Sequence, residues 1–152
     1  GGLWERIEGF RAALSEAGTP FQDGDMILTQ EVRVRAGMQA ADDFLTLTPR
    51  PTAAFITADH VAVGFIHRLL ERGVSVPQDV AVVGYDDIRY SAFTEVPLTT
   101  VALPKYEMGR HAAKILFERI HSDRDGSHRR DDLQQMRLEP TLVVRASCGA
   151  AQ

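Results

Sequence analysis

The sequence predicts an α/β fold built on a doubly wound parallel sheet, and three observations carry that reading. Short apolar runs rich in β-branched residues recur at 53–57, 80–83 and 97–101, and such runs suit strands buried on both faces. Apolar residues at helical spacing fill 3–17, 32–45, 61–71 and 104–120. Glycine and proline separate these stretches. Strands alternating with helices give a parallel sheet joined by right-handed crossovers.

In chain order, Leu3, Ile7, Phe10, Leu14 and Ala17 share one helical face, and Gly18 ends it. Met26 to Thr29 reads as a short strand with Gln30 and Glu31 at its carboxyl end. The helix at 32–45 contains Gly37, at a cost of about 1 kcal/mol relative to alanine. Pro49-Arg50-Pro51 closes that unit. Strand 53–57 leads through Ala58-Asp59-His60 into the helix at 61–71, closed by Gly73. The run Val80 to Val83 ends at Gly84, where a glycine permits backbone conformations that other residues avoid. Tyr85, Asp86 and Asp87 then stand at the strand's carboxyl end, where open α/β sheets bind ligands. Either aspartate also suits a turn cap. After the strand at 97–101, Pro104 occupies a permitted first-turn position in the helix 104–120. His121 to Asp132 is polar and reads as a surface loop. It has two histidines and four aspartates, in no established metal-ligand spacing, so no metal site is expected. Gln135 to Glu139 and Thr141 to Arg145 read as strands broken at Pro140, and the residues after Ser147 as tail.

A chain of 152 residues, 44% of them hydrophobic, suffices for one substantial core. The formal net charge of −4 gives no electrostatic draw toward nucleic acid. The basic residues of helix 104–120 read as a solvated face rather than a DNA-reading one. Cys148 is the single cysteine, which excludes an internal disulfide and fits a cytoplasmic location. There is no long apolar run for a membrane and no signal-peptide pattern. A G-x-S-x-G elbow, a Walker A loop and a G-x-G-x-x-G turn are all missing, so neither an enzyme nor a cofactor is expected.

VPQDVAVVGYDDI followed by PLTTV resembles the effector-binding core of the LacI (lactose-repressor) family of bacterial transcription regulators. ERIEGFRAAL, RPTAAFITADHVAVGFIHRLLERGVSVP, YEMGRHAAKILFERI and LEPTLVVRAS follow in the family's order and spacing, so the resemblance spans nearly the whole chain. It implies a periplasmic-binding-protein-like lobe, the second of two. Residues 1–103 would form that lobe, 104–133 would cross to the first lobe, and 134–152 would be return strands and tail. The helix-turn-helix, the hinge and the strand before the first helix are not in the sequence, and the expectation is a portion of a longer regulator.

The resemblance also implies site residues. By residue type alone Arg6 is a surface arginine paired with Glu5 or Glu8; in the family's R-x-x-G-F motif it reaches into the ligand cleft, where a guanidinium suits hydroxyl pairs or a carboxylate. The expected effector site comprises Arg6, Tyr85, Asp86, Asp59, His60 and Leu103. Two positions along the cleft depart from the family: Ala58 stands where an asparagine is common, and Leu103 where a glutamine is common. Both make the cleft less polar. The effector would be a sugar, a polyol or a purine-like molecule, and operator DNA would be reached only through the helix-turn-helix. A homodimer is expected through Val61, Phe65 and Leu69 of one helix and Tyr90 and Phe93 of the following loop. In the competing arrangement this apolar set packs on the sheet, with Tyr90 and Phe93 covering its edge. The alternative function is a periplasmic-type sugar-binding protein, which shares the two-lobe fold.

Overall fold

A computed structural model of the chain describes residues 2–19, 21–124 and 136–150, with the side chains of 122–124 excepted. The chain divides into two compact units, Gly1–Val101 with Leu142–Gln152, and Ala102–Thr141.

The first unit carries the sheet. Its elements are α1 (Leu3–Glu16), α2 (Val34–Phe44), β1 (Ala53–Phe55), α3 (Asp59–Glu71), β2 (Ala81–Asp86), β3 (Thr99–Ala102) and β4 (Thr141–Val143), the last two strands reaching the unit's boundary. The strands lie in the order β1-β2-β3-β4. β1 and β2 are parallel, with Ala53 opposite Ala81 and Phe55 opposite Val83. Side chains alternate across a strand, and here both faces are covered. Phe55 turns to α1, where Phe10 stacks on it at 5.1 Å. Ala54 and Val82 turn to the other face, joining Ala62, Phe65, Ile66 and Leu69 of α3 and Ala40, Ala41 and Phe44 of α2 in the core. Helices on both faces of a sheet with parallel strands make the doubly wound architecture that the strand and helix patterns predict.

α2 and α3 cross at backbone contact. A β-carbon on Gly37 would overlap the carbonyl of Val61, and one on Gly64 the carbonyl of Val34. The glycine that weakens α2 as an isolated helix is therefore what allows it to dock. This contact also corrects the expectation for α3. Val61, Phe65 and Leu69 are buried, and Phe65 meets Phe44 edge-on at 5.2 Å. Their surplus apolar area beyond the sheet is covered by α2, so they are core residues and not a dimer surface. Burying each such side chain contributes about 1.5–3 kcal/mol.

Met26 to Thr29 forms no strand. It follows a 3₁₀ turn at Asp23–Asp25, Ile27 packs on the core and Leu28 is exposed. The alternation is strand-like, but the sheet ends at β1 and offers this segment no ladder. At the other end, Ser147 is a clip. Its hydroxyl donates to Val82 O at 2.6 Å and accepts from Thr99 N–H at 2.8 Å, and its own N–H reaches Pro97 O.

In the second unit, α4 runs Lys105–Arg124. Its helix thus includes His121 to Arg124, assigned by sequence to a loop; the rest of that loop, and Gln135, lie outside the described residues. Tyr106, Leu116 and Phe117 are exposed on α4. Met136 to Glu139 is irregular, so the strand expected there is not formed among the described residues.

Candidate functional site

The site grows from the end of β2. Strand pairing carries the chain past Gly84 to Asp86, three residues beyond the apolar run. Gly84 has ordinary strand backbone, and the expectation of a special conformation there is corrected: what it provides is space. A β-carbon on Gly84 would overlap the carboxylate of Asp59 and lie 2.9 Å from Leu98. The special conformations come next, at Asp86 (φ 111°) and Asp87 (φ 47°). Positive φ at a non-glycine residue costs on the order of 1–3 kcal/mol and persists only where neighbours impose it.

Arg6, Tyr85 and Asp86 are brought together as expected. The Arg6 guanidinium lies 3.8 Å from the centre of the Tyr85 ring and 3.7 Å from Asp86 Oδ1, and it donates to Thr57 O at 2.6 Å. The Arg6 and Asp86 side chains are about a quarter exposed. This is a surface on which a fixed cation, an anion and an aromatic ring present themselves side by side. Arg6 and Tyr85 line a depression of about 240 Å³ with Glu5, Gly9 and Phe55, and Asp86 stands beside it through Arg6. Such a set matches a small polar molecule with an apolar face: the ionic pair takes hydroxyl or carbonyl groups and the rings take the flat side.

Two other expected effector residues stand elsewhere. Asp59 is fully buried. It accepts hydrogen bonds from Ser91 Oγ (2.6 Å), Ile88 N–H (3.0 Å) and Thr100 Oγ1 (2.6 Å). A buried carboxylate needs such donors, and with them satisfied it faces no ligand. His60, next in sequence, is exposed and lines a second depression of about 260 Å³ with Val34, Val63, Ile88, Tyr90, Phe93 and Thr94. It shares no lining residue with the Arg6 depression. The cause is helical: successive residues at the start of α3 point about 100° apart, so Asp59 faces inward and His60 outward. Leu103 is half-buried and lies just past β3 in the second unit.

Of the residues expected at a dimer surface, Tyr90 and Phe93 are on the outside, 72% and 82% exposed. They do not cover the sheet edge. They follow from the 3₁₀ turn Arg89–Ala92, whose buried Ser91 is held by Asp59 while its neighbours turn out. Arg145 is a residue that the sequence reading missed. It donates to Asp87 Oδ1 at 2.8 Å and to Leu98 O at 2.8 Å. The available signal was a cation ending the apolar run of β4.

A doubly wound unit with a polar cluster at the carboxyl ends of its strands belongs to the α/β class whose ligand sites form there. Residues 4–148 match the family described as periplasmic binding protein-like domain, and the chain belongs to that family. Over 93% of the chain it is 38% identical to the HTH-type transcriptional repressor PurR of Vibrio parahaemolyticus, covering 40% of that protein. It is 39% identical to the ribose operon repressor of Escherichia coli, over 93% of this chain and 41% of that protein. A LacI family transcriptional regulator from Lactobacillus casei, solved with bound sucrose, superposes with a TM-score of 0.75 at 32% identity, over 93% of this chain and 50% of that one. The LacI-type resemblance read in the sequence therefore holds. The chain spans about two fifths of the length of the curated relatives it matches. Among the described residues no helix is long and apolar enough to cross a membrane.

Proposed function

We propose that this chain is the effector-binding part of a LacI-type transcriptional regulator. Its Arg6–Tyr85–Asp86 surface takes a sugar, polyol or purine-like molecule. The observation that carries this is the ionic and aromatic cluster at the carboxyl end of β2, with Arg6 and Asp86 3.7 Å apart. Relatives named as repressors and a sucrose-bound neighbour support it. In this reading the chain binds and signals but catalyses nothing. It works in the cytoplasm, and it governs DNA through a helix-turn-helix outside the 152 residues. It also pairs as a homodimer across the depression around Tyr90 and Phe93, since exposed aromatic residues are common at interface cores.

The test is a thermal-shift screen of sucrose, ribose, cellobiose and purines, because a ligand that binds only the folded state raises stability by mass action. For the compound that shifts the transition, Asp86→Ala should weaken affinity by about 1–3 kcal/mol, the value of a charged hydrogen bond. Unchanged affinity would remove Asp86 from the site.

A further inference from the structure

Asp59 belongs neither to the ligand surface nor to the outer depression, yet it lies between them and is bonded toward both. We propose that Asp59 is the positioning residue of the ligand surface. Its buried carboxylate fixes the Asp86–Asp87 turn and joins that turn rigidly to the segment that carries Tyr90 and Phe93.

Asp59 Oδ2 accepts from the N–H of Ile88, two residues after Asp86. Asp59 Oδ1 accepts the hydroxyl proton of Thr100 at 2.6 Å. That leaves the Thr100 oxygen turned to receive Asp87 N–H, at 3.4 Å. The amides after both positive-φ residues are thus oriented, directly or through one hydroxyl, by a single carboxylate. Its Oδ2 also accepts from Ser91, and Ser91 O accepts from Leu98 N–H at 2.7 Å, which pins the 3₁₀ turn to the start of β3. The three side chains at the centre of this set, Asp59, Ser91 and Thr100, are fully buried. Gly84 is the complement, because any side chain there would displace the carboxylate. A change at Asp86 is therefore relayed toward Tyr90 through the hydrogen bonds that Asp59 holds.

This rests on the reading of Asp86 as ligand-facing, but its test uses no ligand, so the two fail separately. The chain has three tyrosines: Tyr85 beside Arg6, Tyr90 on the outer face and Tyr106 on α4. Labelled uniformly with 3-fluorotyrosine, it gives one ¹⁹F signal for each. Asp86→Ala is expected to move the Tyr90 signal and leave Tyr106 in place. With Asp59→Asn as background, the same substitution should no longer move Tyr90. Leu69→Ala, ten residues beyond Asp59 on α3, destabilises the core away from the carboxylate, and in that background the Tyr90 response should persist. Ser91→Ala serves in the same way if the Asp59 variant does not fold. A Tyr90 signal indifferent to Asp86→Ala, or one that responds equally with and without the Asp59 or Ser91 side-chain bond, would overturn the proposal.

Discussion

The segment from Asp86 to Phe93 has two sides, and they are built in opposite ways. On the ligand side the side chains are committed before anything binds. Arg6 is tied to Thr57 O and lies over Tyr85, and Asp87 is held by Arg145. On the outer side Tyr90 and Phe93 project with most of their surface in water. The first arrangement suits a small polar molecule, whose recognition needs fixed donors and acceptors and little area. The second suits a large apolar partner, which supplies the burial that the rings lack. Both sides depend on the same buried residues, so the contrast reflects the direction each side chain takes from a shared framework.

Placing the same charge on two phenylalanines breaks the contrast most sharply. Phe65 is 3% exposed and Phe93 is 82% exposed. Phe65→Asp should lower stability by about 4 kcal/mol or more, combining a lost aromatic side chain with a buried charge. Urea denaturation would show it; a fully stable variant that only dissociates would restore Phe65 to the interface. Gly64→Ala comes next, at about 3 kcal/mol, because its methyl group meets backbone that cannot rotate away. The loss should reach the outer depression first, since Val34 and Val63 flank the contact. Hydrogen exchange faster at α2 than around Tyr85 would bear that out. Phe93→Asp should leave the denaturation midpoint almost unchanged and weaken self-association by about 2 kcal/mol, the scale of an interface anchor. Sedimentation of the variant and the parent at equal concentration decides it, and equal association would move the interface elsewhere.

How much of this was legible in the sequence depended on whether the deciding partner was local. The strands β1 to β4 were read from short apolar runs and the helices α1 to α4 from periodicity, both of them local properties. The strand at Met26 to Thr29 was misread because a strand also needs a neighbour, and an apolar alternation does not say whether one is there. Gly37 looked like a defect until Val61 appeared against it. Asp59 and His60 were given one role by the family resemblance, whereas the start of a helix sends adjacent side chains to different places. The cluster of Arg6, Tyr85 and Asp86 was legible only through the family resemblance. Arg6 and Asp86 are 80 positions apart by their numbering, and no spacing rule connects them. Arg145 went unread for the same reason, since its partner Asp87 lies 58 positions away.

The central claim is that small molecules bind on the Arg6–Tyr85–Asp86 side and leave the Tyr90–Phe93 side free for a protein partner. A two-dimensional ¹H–¹⁵N titration with the compound selected by thermal shift tests it most directly. The account predicts that the largest amide shifts fall on Arg6 and on Tyr85 to Asp87, with lesser shifts relayed to Ile88 and Tyr90. Largest shifts on His60, Val63 and Phe93 would contradict it, because they would place the ligand in the outer depression.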